Sequence, residues 1–213
     1  MTFRMPAEWA QHERVWIGFP SDPVAWGYPL AEAQRQIAAF ANAVHDGGKG
    51  ETVHLIAKGA EATARARDLC DAGVIVEERP IGDIWLRDTG CILVGCGAGR
   101  IARNFGFNGW GNRFDYEGDQ TIGRELAAAT GFPVTDCDWV LEGGSIDVDG
   151  GRRHVQGLAD QGQQAVAQRI AGSRARCRRL PDGGGGPGCL YRRNVARGAG
   201  GDDLLAQGAF LGR

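Results

Sequence analysis

The chain reads as an α/β protein, and three observations carry that reading. Short strand-like apolar runs alternate with helical segments over residues 1–150, the pattern of the α/β class. Glycines punctuate the helical segments, as Gly47-Gly48 and Gly73 do. Beyond Gly150 the alternation fails, and arginine and glycine runs separate only short apolar pieces.

The elements follow in order. From Leu30 to Val44, Ile37, Phe40, Ala41 and Val44 recur at helical spacing, and Gly47-Gly48 supplies the stop. Thr52 to Ala57 alternates as a short strand. Glu61 to Ala72 reads as a second helix ended by Gly73, and Val74 to Glu77 as the next strand. Strands are then expected at Trp85–Arg87, Cys91–Val94 and Ile101–Phe105, a helix near Thr121–Thr130, and strands at Trp139–Leu141 and Ile146–Val148. After residue 150 only Ala165 to Ile170 suggests a brief helix.

Composition bounds the function. The 213 residues are 43% hydrophobic and 23% charged, enough for a packed core. A net charge of −2 gives no general reason to expect nucleic acid or a bilayer as partner. No apolar run approaches membrane-spanning length and the N-terminus lacks a signal segment, so the expectation is a cytoplasmic protein. Six cysteines form no C-x-x-C pair, and the spacing of Cys91 and Cys96 does not suit a zinc site.

The average conceals an asymmetry. Residues 151–213 hold 11 Arg and 4 Asp with no Lys or Glu, a net +7 that leaves −9 for residues 1–150. This divides the chain into an α/β part, 1–150, and a Gly/Arg-rich tail, 151–213. A GC-rich gene read out of frame would give such a tail; so would a natural basic segment with too little apolar area to fold.

Two segments carry the chemistry. Asp83-Ile84-Trp85-Leu86-Arg87-Asp88-Thr89-Gly90 and Leu141-Glu142-Gly143-Gly144-Ser145 each put a carboxylate beside glycine or aromatic residues. Two convergent carboxylates beside an aromatic wall suit a planar cation, because a guanidinium presents five donors in a fixed fork. On a strand, Trp85 and Asp88 would face opposite sides, so the backbone must end or twist near Arg87 if both are to reach one site. Asp88 can otherwise cap a turn, paired with Arg87 or Thr89, and Glu142 can be a solvated strand-end carboxylate. In Phe107-Asn108-Gly109-Trp110-Gly111, two glycines permit a tight bend in which Trp110 either roofs a pocket or anchors the core.

These motifs, with Met5-Pro6-Ala7-Glu8-Trp9 and His12-Glu13-Arg14-Val15-Trp16, resemble the agmatine deiminase family, bacterial relatives of the peptidyl-arginine deiminases, over about residues 5–150. The resemblance implies a pentein-type α/β propeller of ββαβ units, here incomplete and followed by an irregular basic tail. It also implies hydrolysis of agmatine to N-carbamoylputrescine and ammonia, a step of putrescine and polyamine biosynthesis. By the same resemblance Asp88 grips the guanidinium, Trp85 lines its slot, and Glu142 supports a catalytic histidine. His12 looks structural. The partner implied is a small guanidino compound, with no metal or organic cofactor, no nucleic acid and no membrane. Open unit edges would favour a homo-oligomer.

The later family motifs depart from the pattern. His154 lacks the aspartate of the family's His-x-Asp element and reads as a surface histidine. Gly183-Gly184-Gly185-Gly186-Pro187-Gly188-Cys189 has Gly188 where the family's nucleophile motif has histidine. Cys189 is the candidate nucleophile that remains; without a thiolate the covalent route is closed. The alternative expectation is a truncated guanidino-binding fragment or pseudoenzyme with no turnover.

Overall fold

A computed structural model describes residues 5–95, 99–146 and 148, and the backbone of residues 208–212. Two sheets organise it. The first runs β3-β2-β1-β7, built from β1 (His12–Gly18), β2 (Val53–Ala57), β3 (Ile75–Glu78) and β7 (Gly208–Gly212). The second runs β4-β5-β6, from β4 (Ile92–Val94), β5 (Ile101–Gly106) and β6 (Val134–Val140).

Parallel neighbours require crossovers, and helices supply them. Strand β1 pairs parallel with β2, and β2 with β3; α2 (Leu30–His45) and α3 (Ala60–Leu69) make the connections. In the second sheet β4 and β5 are antiparallel, and α6 (Asp119–Ala129) carries the chain to β6, parallel to β5. That is one ββαβ unit. The first sheet repeats the arrangement, with β7 antiparallel to β1 in the place that β4 takes beside β5. The expected irregularity after residue 150 therefore does not extend to residues 208–212. The other tail features, Cys189 and His154 among them, lie outside the described residues.

The strand period sorts the core. Val15 and Ile17 on β1, and Val53, Leu55 and Ala57 on β2, face Ile37, Ala38 and Ala41 of α2 and Ala62 and Ala66 of α3. Trp16 and Ile56 point the other way, onto Leu86, Leu93, Ala102, Ile122 and Leu126. This second cluster joins the two sheets. On β4, Leu93 enters it, while Ile92 and Val94 turn to Phe105, Leu141 and Ile146.

Three expectations are corrected. Trp85–Arg87 is no strand: Leu86–Thr89 is a single helical turn, α4. Asp88 and Thr89 both donate their backbone N–H to Trp85 O, at 2.9 and 3.1 Å, and the Thr89 hydroxyl bonds the same carbonyl. Second, Gly143–Ser145 form a 3₁₀ turn, closed by Ser145 N–H on Glu142 O at 3.0 Å, and Ile146 is extended without joining a sheet. Third, α3 ends at Leu69 rather than Ala72, where Cys70 turns extended. Beside β7, β1 itself was not anticipated, nor was the four-residue helix α1 (Pro23–Trp26), capped by the Asp22 carboxylate.

Candidate functional site

The helical turn settles the geometry that a strand could not. Trp85 sits at its N-cap and Asp88 three residues on, so both project to one side. There they meet Trp110, on the loop before α6. Residues 109–112 form a tight turn, α5 (Gly109–Asn112), in which Trp110 adopts φ 54° between Gly109 at 64° and Gly111 at 80°. Left-handed backbone is costly for a tryptophan. Side-chain contacts hold it. The indole N–H donates to Asp88 Oδ2 at 3.0 Å, and the ring packs edge-on against Phe107 and Phe114.

Asp83, Trp85, Asp88, Trp110, Phe114 and Tyr116 line a cavity of about 410 Å³. The volume lies in the range of small-molecule sites, roughly 300–1,000 Å³. Its described lining offers two carboxylates and four aromatic rings. The cavity therefore suits a flat organic cation.

Asp88 is fixed at both oxygens. Oδ2 takes the Trp110 indole, and Oδ1 accepts the backbone N–H of Gly144 at 2.7 Å. These partners are neither Arg87 nor Thr89. A Cβ at position 144 would stand 2.3 Å from Asp88 Oδ1, so only glycine permits this approach. Arg87 points elsewhere: its Nε donates to Gly143 O at 3.2 Å, its Nη2 to Ile146 O at 3.4 Å, and it pairs with Glu8. Adjacent residues thus gather the N-terminal motif, the Trp110 loop and the Glu-Gly-Gly turn.

Glu142 is half-buried at the start of that turn, where its carbonyl accepts Ser145 N–H and Oγ–H. It is not among the described residues lining the cavity; Gly144 connects it to Asp88. The second carboxylate of the cavity is Asp83, to which the sequence reading gave no role although it opens the motif. Its side chain accepts Ile84 N–H at 2.7 Å, and burial pushes its carboxyl above the ordinary range against the pull of that N–H and of the Trp85 side chain. Phe114 and Tyr116 were also missed; nothing in their spacing marks them. Tyr116 is raised too, by burial first and then by the charges of Asp83, Asp119 and Asp22.

The remaining candidates resolve as follows. His12 is structural, its Nδ1 3.0 Å from Glu51 and its Nε2 2.8 Å from Glu8 O. Burial pushes the Cys91 thiol up to about 12; burial and then Asp71 push Cys70 up to about 11. Neither forms a thiolate near neutrality. Among the described residues, no group of three or more His, Cys, Asp and Glu is placed to hold a metal, and no helix is long and apolar enough to cross a membrane.

The Porphyromonas-type peptidyl-arginine deiminase family matches residues 4–155. An agmatine deiminase of Pseudomonas aeruginosa is 38% identical over 156 residues, which cover 70% of this chain and 41% of that protein. One from Stutzerimonas stutzeri is 32% identical over 160 residues, again 70% of this chain and 41% of the relative. The chain thus spans about two-fifths of these relatives' length. The solved agmatine deiminase of Enterococcus faecalis has a similar fold, with a TM-score of 0.66 at 22% identity over 79% of this chain and 49% of its own.

Proposed function

The chain belongs to the Porphyromonas-type peptidyl-arginine deiminase family, and on that footing we propose that its cavity receives the guanidinium of agmatine for deimination. The reaction yields N-carbamoylputrescine and ammonia, in the cytoplasm, as a step of putrescine synthesis. A thiolate forms a bond to the guanidinium carbon, a C–N bond breaks to release ammonia, and water then cleaves the amidino-cysteine adduct. Asp88 receives the guanidinium; Trp85 and Trp110 enclose it. Glu142 is the second catalytic carboxylate, held close through Gly144, and Cys189 is the nucleophile.

One observation carries the reading: a carboxylate anchored by an indole and a backbone N–H at the wall of an aromatic cavity. Such an acceptor is oriented before the ligand arrives, so binding spends little on ordering it. The test is ammonia release from agmatine by the full chain, Asp88→Asn and Glu142→Gln. Release by the wild type and its loss in both variants is the expected result. Full activity in both variants would remove these residues from the reaction.

A second reading has its own support. Gly188 stands where the family's nucleophile motif has histidine, and His154 lacks the aspartate of the family's His-x-Asp element. The chain would then bind guanidino compounds without turning them over. Calorimetric binding of agmatine with no ammonia released would establish this version.

A further inference from the structure

We infer that Asp119, which does not line the cavity, is a positioning residue that sets the Asp83–Trp85 wall for the ligand. The inference rests on the guanidino-binding reading above. Asp119 opens α6 and is 2% exposed. Its Oδ1 accepts two backbone N–H groups of the motif loop, Gly82 at 3.1 Å and Asp83 at 2.9 Å. Asp83 in turn accepts Ile84 N–H, and its side chain lines the cavity together with Trp85, two residues on. Hydrogen bonds therefore run from the helix start to Ile84, the residue directly before the indole that walls the cavity.

A second lining residue is tied to Asp119 as well. Asp119 donates its backbone N–H to Tyr116 O at 3.2 Å, and Tyr116 lines the same cavity as Trp85. The fit is close: a Cβ on Gly82 would lie 2.6 Å from Asp119 Oδ1 and 2.7 Å from Tyr116 Cβ. Asp119 Oδ2 is buried and has no hydrogen-bond partner among the described residues. An unsatisfied buried oxygen is a standing cost, which a helix cap alone would avoid with a serine. What the longer carboxylate adds is reach, placing one oxygen between two amides of another segment.

The test uses the full chain labelled with 5-fluorotryptophan, the Trp85 ¹⁹F resonance being identified by its loss in Trp85→Phe, together with calorimetric titration of agmatine. Asp119→Ala removes the acceptor; the Trp85 resonance should move and agmatine should bind roughly tenfold more weakly or worse. Asp119→Asn keeps Oδ1 and should stay within about threefold of the wild type, with the resonance in place. If Asp119→Ala does not fold, Asp119→Ser, whose oxygen is too short to reach both amides, should give the same displacement. An unmoved Trp85 resonance and unchanged affinity in the acceptor-deleted variant would overturn the inference, as would an Asn variant no better than it. Failure of the wild type to bind agmatine would refute the guanidino reading instead, and the ligand-free Trp85 resonance would still decide the positioning role.

Discussion

Asp88 Oδ1 and the backbone N–H of Gly144 meet at 2.7 Å across 56 positions of sequence. The contact joins the turn that carries Glu142 to the turn that carries Trp85, and the Arg87 bond to Gly143 O runs beside it. Two adjacent residues of α4 thus hold two adjacent glycines by opposite chemistries, an acceptor on one N–H and a donor on one C=O. Glu142 and Asp88 cannot move independently while both bonds stand.

Gly144→Ala tests that coupling. The new Cβ would lie 2.3 Å from Asp88 Oδ1, so the carboxylate must rotate away and its bond to Trp110 must go with it. A displacement of this kind near a reacting centre costs on the order of a hundredfold in rate. Agmatine turnover or affinity should fall at least tenfold, and urea denaturation should show a loss of about 1–3 kcal/mol. An alanine variant with wild-type affinity would show that Asp88 does not depend on this anchor.

Asp88→Asn and Trp110→Phe should differ in a defined order. Both Asp88 oxygens face N–H donors, so an asparagine must turn its own amide N–H₂ toward one of them. That opposes two donors and costs about 1–3 kcal/mol, besides removing the charge. Trp110→Phe removes one donor and leaves the carboxylate intact, for about 0.5–1.5 kcal/mol. Agmatine affinity measured by calorimetry should therefore fall much further in Asp88→Asn.

Particular residues show what the sequence could and could not reveal. Helix α2 was plain because Ile37, Ala41 and Val44 recur at helical spacing, the first two buried and Val44 packed against the same core. Strand β1 was not, because Val15, Trp16 and Ile17 are all buried, one face on helices and the other on the second sheet; a strand covered on both sides shows no alternation. The Trp85 segment misled for a local reason: the short apolar run Ile84-Trp85-Leu86 reads as strand until Thr89 closes a turn on Trp85 O. Asp88, Trp85 and Trp110 stood out in distinctive strings and do share the cavity. Asp83 opens one of those strings yet drew no role, and Asp119 lies in none, since what matters in them is burial and partners on remote segments, 36 positions apart for Asp119 and the Asp83 amide.

Arg87→Lys should be destabilising although the charge is kept. The guanidinium reaches Glu8, Gly143 O and Ile146 O together, with 17% of its side chain exposed. A lysine ammonium on a flexible stem lacks that fork and leaves buried carbonyls unpaired. The expected loss is about 1–3 kcal/mol, visible as a fall of several degrees in Tm. An unchanged melting curve would show that the N-terminal segment is held by other contacts.

Native-state alkylation checks the cysteines. With the residue 8% exposed and its thiol pushed up to about 12, Cys91 should resist iodoacetamide at neutral pH until the chain unfolds. Cys70, pushed up to about 11, should also react slowly. Mass mapping of rapid labelling at Cys91 in the folded chain would contradict both its burial and its exclusion as nucleophile.

The acid limb of stability follows from Asp119. Burial, and after it the Asp83 charge, push its carboxyl up to about 6 from an ordinary 3.8; the Asp83 and Gly82 N–H groups and Lys58 pull the other way without prevailing. A carboxyl raised in the folded state binds its proton more tightly there than in the unfolded chain. Its contribution is thus fully present below about 3.8 and is lost as pH rises through about 6. Asp83, also raised by burial, adds the same sign. Relative to Asp119→Asn, the wild type should therefore lose stability between pH about 4 and about 6, by no more than about 3 kcal/mol, and show a flat difference above that. Urea denaturation of the two proteins across that range measures it. A difference that instead grew with pH would mean that the two amides and Lys58 outweigh desolvation and hold Asp119 ionised.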